Sequence, residues 1–397
     1  MNKNLLYIFT LLFFSCQSLG LNNKKIINHK VWNKGAMVSA ANPYAVKAAI
    51  SILEKGGSAT DAAIAAHLVL GLVEPQSSGL GGGGFMLNYD FKTNDLTFID
   101  GRETAPSSAK IDMFMKDDGT VMSFMEAVPS GKAVGTPGIV ALYETAHKAY
   151  GLLPWSILFE DAINLSKNGF IVSSRLANYV DFAEKRGRLS KNPLTKKYFY
   201  PNDIKIKSGD LLKNPEYANT LEAIAKEGSI AFYNSNIAKE IVSAVNADPN
   251  PGEMTLEDLK NYNTVLRPVI CGPFRNMKIC TTSPPSSGGA QIMIAGLYDQ
   301  LINNESNELE KISAFVDAQR LAYADRDHFF GDPDEVNIPL EALLDPKYIR
   351  ARAKQRFLPK TIPTPGDPSI VIDTLANFPT WGKDNTVEAA GTTHLSI

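Results

Sequence analysis

Residues 61–84 constrain the fold of this 397-residue chain more than any other stretch. Asp61 to Val73 is Ala-rich and apolar nearly all round, so as a helix it has no face to turn to water and must be enclosed by other elements. A second helical pattern precedes it, Pro43 to Lys55, with Val46, Ala49, Ile50 and Leu53 at i, i+3, i+4 and i+7. Gly56-Gly57 stops that helix, and Ser58 or Thr60 can cap the next. After Val73 come Glu74-Pro75-Gln76-Ser77-Ser78 and the run Gly79-Leu80-Gly81-Gly82-Gly83-Gly84. Two strand patterns follow, Phe85 to Tyr89 and Leu96 to Asp100, around Lys92-Thr93-Asn94. Gly79, Gly81 and Gly84 satisfy G-x-G-x-x-G, but a dinucleotide site needs a strand before that motif and a helix after it. Here the order is reversed. The glycines are therefore read as a turn where backbone closely approaches backbone or substrate.

Beyond that point, residues 139–301 are mostly helical in pattern, broken by a hairpin over Arg267 to Thr282 that turns near Arg275-Asn276. Ala290 to Leu301 is a helix at the end of that span, and Ser313 to Phe330 is a longer one beyond it. Pro359 to Asn385 is rich in Pro, Thr and Asp and reads as an exposed linker. Thr392 to Ile397 reads as the start of a strand. The length suits two or three domains or one large α/β unit. With 44% hydrophobic and 21% charged residues the chain can bury a large core, which excludes a mainly disordered protein. Forty Lys and Arg against 42 Asp and Glu create no basic field, so no nucleic-acid partner is expected. The five His show no ligand spacing and no H-E-x-x-H, so neither a metal nor a cofactor is expected. No G-x-S-x-G elbow is present, although a Ser-His-Asp triad assembled in space stays open.

Met1 to Gly20 has the form of an export signal: Lys3, an apolar run from Leu5 to Phe14, then a small-residue region. The run is shorter than the roughly 20 residues a membrane span needs. Phe13-Phe14-Ser15-Cys16 resembles a lipoprotein cleavage box, and Ser18-Leu19-Gly20 suits an ordinary signal peptidase. The chain is thus expected to be exported, in the periplasm or lipid-anchored at Cys16. In an oxidising compartment Cys271 and Cys280 could be bridged across the hairpin. Two buried free thiols are the preferred reading, because the register there is a guess.

Three short segments carry candidate chemistry. Pro284-Pro285-Ser286-Ser287-Gly288-Gly289 is either a rigid turn with a Ser cap or a wall of an active site. Arg102, in Asp100-Gly101-Arg102-Glu103-Thr104, is either solvated or ion-paired, or offers its planar fork of donors to a carboxylate. Gly391-Thr392-Thr393-His394 ends the linker at an unhindered glycine. It is either a plain strand start or a self-cleavage site. In the second case the Thr392 hydroxyl attacks the Gly391 carbonyl, an N→O acyl shift follows, and water opens the ester. The new N-terminal Thr then holds nucleophile and amine base in one residue.

Taken together, the motifs resemble the bacterial γ-glutamyltranspeptidases of the N-terminal-nucleophile hydrolase superfamily. The resemblance runs from about Gly35 to Ile397. It rests on residues 56–63, 79–86, 100–106 and 135–138, then on Pro284 to Gly289, residues 322–326, Gly331-Asp332-Pro333 and Thr392-Thr393-His394. It implies a four-layer α/β/β/α sandwich, with residues 1–20 as the signal, 21–391 as the helix-rich large subunit and 392–397 as the start of the small subunit. It implies cleavage between Gly391 and Thr392, with Thr392 as the nucleophile and Arg102 clamping the α-carboxylate of the glutamyl group. The substrates would be glutathione and other γ-glutamyl compounds, with water, an amino acid or a dipeptide as acceptor.

The family's small subunit is a domain of its own, and only its first six residues are present. The polypeptide as written is therefore expected to be inactive and poorly stable without that partner, with Thr392 to Ile397 a strand lacking a neighbour. A cephalosporin (glutaryl) acylase of the same superfamily and a non-enzymatic exported remnant are the alternative readings.

Overall fold

The computed structural model describes residues 35–185, 189–247, 250–355, 357–372 and 392–397. The expected signal, Cys16, Gly391 and the second half of the expected linker lie outside them.

Helix α1, Pro43–Glu54, starts where the Asn42 side chain accepts the Tyr44 N–H at 3.0 Å, with Pro43 in the first turn, where its missing N–H costs nothing. Gly56, at φ +89°, ends it in a conformation that favours glycine. Helix α2, Ala59–Val73, is capped by Ser58, and Asp61 closes the capping box on the Ser58 N–H. The Asp61 carboxylate also accepts the Leu152 and Leu153 N–H groups at 2.8 and 3.1 Å, tying α2 to the end of α3, Ile139–Tyr150. As its composition demands, α2 is buried on nearly all sides, against α1, α3 and α4, Glu160–Asn168. These helices and Pro215–Glu227 enclose the larger of two apolar clusters.

Strands β1, Gly84–Asp90, and β2, Asp95–Gly101, form a hairpin, and β3, Val265–Arg267, pairs with β2 to complete an antiparallel sheet. The pleat divides this sheet into two faces. Ile99 and Met86 point to the helical cluster. Leu87, Tyr89 and Val265, on the other face, are 39%, 52% and 41% exposed.

The expected hairpin is present as β4, Val269–Phe274, and β5, Met277–Thr282, turning at Arg275-Asn276. Its register places Cys271 directly opposite Cys280, with Cα atoms 4.1 Å apart. The two are joined as a disulfide, so the reading as free thiols is wrong. A two-residue turn aligns the strands so that both side chains leave the same face of the pleat.

Helices α5, Gly288–Leu301, α6, Glu308–Phe329, and α7, Pro346–Arg352, enclose the second apolar cluster. Asp325 and Arg352 form an ion pair within it, both side chains fully buried. Asp325 also accepts the Tyr348 hydroxyl at 2.8 Å and the Gly366 N–H at 2.7 Å, and Arg352 donates to the Thr364 carbonyl at 2.7 Å. This corrects the reading of an exposed linker from Pro359: residues 363–368 are strapped to the cluster, with Pro363 and Pro368 buried. Two buried charges need more partners than each other, and the strap's backbone supplies them.

The final segment also departs from expectation. Ser396 is not unpartnered: it exchanges two backbone hydrogen bonds with Ser39, at 2.9 and 3.0 Å, and Leu395 packs on the larger cluster. The extended residues before α1 offer a free backbone edge, and the segment takes it.

Candidate active site

The Glu74–Gly84 run begins at a buried carboxylate. Glu74 is 1% exposed and accepts from Asn42 at 2.8 Å, Gln76 at 2.6 Å and Arg175 at 3.0 Å. Three donors satisfy a charge that burial alone would make costly. The glycines that follow serve close packing. A Cβ on Gly83 would lie 2.6 Å from both the Glu103 nitrogen and the Gly101 oxygen. The Gly82 carbonyl accepts the N–H groups of Gly138 and Ile139 at 3.0 and 3.1 Å, satisfying orphan donors at the start of α3. The glycine turn therefore holds the Gly101–Thr104 backbone against Gly135–Gly138, where Thr104 also bridges to Thr136.

Arg102 stands at the centre of this convergence. Its N–H is donated to Asp100 Oδ1 at 2.9 Å, an Asx turn, and its carbonyl accepts the Tyr262 hydroxyl at 2.7 Å. Tyr262 stacks on Tyr233, whose hydroxyl donates to the Pro137 carbonyl at 2.9 Å. Burial, with the Asp100 and Glu103 carboxylates nearby, pushes the Tyr262 phenol well above its usual range, so it stays a donor. The Arg102 side chain, by contrast, is 63% exposed, with its guanidinium 5.9 Å from the Phe85 ring centre and its Nε 3.3 Å from Glu103. A fixed peptide thus carries a guanidinium that a carboxylate can reach.

Sequence reasoning singled out Arg102 but missed Asp100, Tyr262 and Arg267. Asp100 was detectable, since an acid two residues before a backbone donor is an Asx-turn pattern. Tyr262 and Arg267 lie some 160 residues away and carried no local signal.

Thr392 is exposed at the start of the segment that Ser396 fastens to Ser39. The Thr393 hydroxyl is buried without a hydrogen-bond partner, and His394 Nε2 lies 3.1 Å from Ser396 Oγ. No hydrogen bond or ion pair among the described residues joins Thr392 to Arg102. At Pro284–Gly289, Ser287 occupies the N-cap position of α5 without a side-chain cap bond, so the expected Ser cap is absent. Thr282 donates instead to Ser286 at 2.6 Å, and Gly288 packs on the Thr282 carbonyl.

No Ser–His pair among the described residues has an aspartate hydrogen-bonded to the other ring nitrogen, as a serine triad requires. Ser78 Oγ lies 3.1 Å from His67 Nε2, but the other ring nitrogen meets the Tyr143 hydroxyl, not an aspartate. Burial lowers the His67 pKa to about 4, which makes it a poor base at neutral pH. No group of three or more His, Cys, Asp and Glu side chains among the described residues is placed to hold a metal.

The sequence profile described as gamma-glutamyltranspeptidase matches residues 45–397. The chain belongs to the γ-glutamyltranspeptidase family. Within and around this family, it is 36% identical over 370 residues to the glutathione hydrolase proenzyme of Bacillus subtilis strain 168, covering 92% of this chain and 62% of that one. It therefore spans less than two thirds of that relative's length. The crystal structure of Helicobacter pylori γ-glutamyltranspeptidase is similar with a TM-score of 0.75 at 32% identity, over 83% of this chain and 95% of that chain. A cephalosporin acylase from Bacillus halodurans is similar with a TM-score of 0.74 at 25% identity, over 84% of this chain and 61% of that one. The helix-rich α/β organisation with small sheets is thus that of γ-glutamyltranspeptidases.

Proposed function

We propose that the protein carrying this chain is a self-processing γ-glutamyl-transferring hydrolase. Its Thr392 hydroxyl attacks the Gly391 carbonyl, the acyl group moves from nitrogen to oxygen, and water opens the ester. Cleavage leaves the α-amine of Thr392 free to take the proton from its own hydroxyl. That hydroxyl then attacks the γ-amide of a donor such as glutathione, and the amine returns the proton to the departing cysteinylglycine. Water or the amine of an amino acid or dipeptide releases the glutamyl group from the ester. Arg102 holds the donor's α-carboxylate through paired N–H···O contacts.

The observation that carries this reading is the exposed Thr392 on an anchored segment, inside a family match that runs through it. The TM-scores of 0.75 and 0.74 do not separate transferase from acylase, whereas the identities, 32% against 25%, favour the transferase. Arg102 does not separate them, because a glutaryl amide carries a carboxylate at the same position and lacks only the α-amino group.

The architecture follows from the same reading. Residues 21–391 form the large subunit, and the small subunit that starts at Thr392 brings a sheet to cover Leu87, Tyr89 and Val265, making the four-layer sandwich. The solved Helicobacter chain, nearly coextensive with the matched region, supports a boundary at this length. Residues 1–20 direct export, to the periplasm or to a lipid anchor on Cys16, which intact mass of the membrane fraction distinguishes.

The test is N-terminal sequencing of the purified protein, joined to an assay with γ-glutamyl-p-nitroanilide. A fragment beginning at Thr392 and turnover are expected, and Thr392→Ala should abolish both. Turnover surviving Thr392→Ala overturns the proposal.

A further inference from the structure

Asp100 is 5% exposed and uses its two oxygens separately. Oδ1 accepts the Arg102 N–H at 2.9 Å, and Oδ2 accepts Arg267 Nε at 2.6 Å. The register explains the second contact: Val265 lies opposite Asp100 and Arg267 opposite Phe98, which puts Arg267 diagonally beside Asp100 on the same face. Arg267 is itself held by a second carboxylate. Its two terminal nitrogens meet Asp334 Oδ1 and Oδ2 at 3.0 and 2.6 Å. A bidentate fork fixes the plane of a guanidinium, and the plane fixes where Nε points. Asp334 sits 60% exposed at the rim of a cleft of about 530 Å³ that Arg267, Ser283 and Pro284 also line. Its contact with Arg267 holds its carboxyl below the usual carboxylate range.

We infer that Arg267 is a positioning residue for Arg102: Asp334 sets the guanidinium, the guanidinium sets the Asp100 carboxylate, and Asp100 sets the peptide that presents Arg102 to the donor's α-carboxylate. The inference rests on the role proposed for Arg102. An ion pair kept only for stability has no need of this division of labour. The outer pair is largely exposed on the Asp334 side, where such contacts add little. The inner pair is aimed at one backbone N–H, two residues from the group that binds. Lysine at 267 keeps the charge but has no fork, and so cannot serve both acids at once.

The processed enzyme tests this with Arg267→Lys, Asp334→Asn, Arg102→Lys and their pairs. With γ-glutamyl-p-nitroanilide, Arg267→Lys should raise KM about tenfold and Asp334→Asn about threefold, with kcat little changed. Neither change should add to that of Arg102→Lys, and both should vanish with 4-aminobutyryl-p-nitroanilide, which lacks the α-carboxylate. Hydrogen exchange at the Arg102 amide should quicken about tenfold in Arg267→Lys. An equal fall in kcat for both donors, additivity with Arg102→Lys, or unchanged exchange overturns the inference. If the unaltered enzyme ignores the γ-glutamyl anilide, the proposed function fails, and the exchange rate still judges the relay.

Discussion

Arg102 and His67 occupy opposite environments, and each yields a prediction. Arg102 has a rigid backbone and an open side chain, so replacement should disturb binding more than folding. Arg102→Lys should raise KM for a γ-glutamyl donor by about 10²-fold while thermal stability stays unchanged, because an ammonium cannot make two parallel bonds to a carboxylate. Steady-state kinetics and a melting curve check this together. His67 is enclosed, and burial alone holds its pKa near 4 against 6.5 in the open chain. As pH falls through 6.5 the unfolded chain takes a proton that the folded chain refuses until about 4. Stability from this residue is therefore intact above 6.5 and is lost progressively down to about 4, by roughly 3 kcal/mol at the limit. Urea unfolding at pH 7 and 4.5 should show the loss, and His67→Gln should lack that part of it. The same pH slope in both proteins would refute the assignment.

Among the elements, the strap over residues 363–368 depends on two buried charges. Arg352→Met removes one and leaves Asp325 uncompensated, a change that costs about 3–5 kcal/mol. Asp325→Asn with Arg352→Met should recover much of that loss, as measured by denaturant midpoints. The elements show how far the sequence could be read. Helices α1, α2 and α5 and strands β1 and β2 were legible to within two residues or so, because periodicity and glycine stops are local signals. The hairpin turn at Arg275-Asn276 was legible too. The disulfide was not, because which cysteines face each other depends on a one-residue register. The strap was misread for a related reason: Pro, Thr and Asp mark a loop, but Gly366 is held by Asp325, 41 residues earlier. Arg102 and Thr392 were singled out from their motifs. Arg267 and Tyr262 join the site only through sheet pairing and stacking, which composition does not carry.

The whole molecule presents an unequal surface. One face of the β1–β2–β3 sheet shows Leu87, Tyr89 and Val265 to solvent, and α6 carries Leu309, Ile312 and Val316 at 72%, 61% and 48% exposure. Apolar side chains grouped on one sheet face and along one helix stripe mark surfaces that another chain covers. The isolated chain should bind 1-anilinonaphthalene-8-sulfonate strongly at neutral pH while keeping its helical circular dichroism, and a partner that covers the sheet should suppress the dye signal.

The Ser39–Ser396 bridge joins residues 357 positions apart, nearly the whole sequence. Contacts so distant along a chain form late, since everything between them must first be in place. If Thr392 cuts its own chain, it can do so from its seat only after that closing contact is made. The cut then becomes a molecular proofreader, releasing a nucleophile only from chains in which the two ends of the large subunit have met. Ser39→Pro, which removes one of the two bridging donors, should delay the appearance of cleaved product in a pulse-chase experiment more than it slows the enzyme once cleaved.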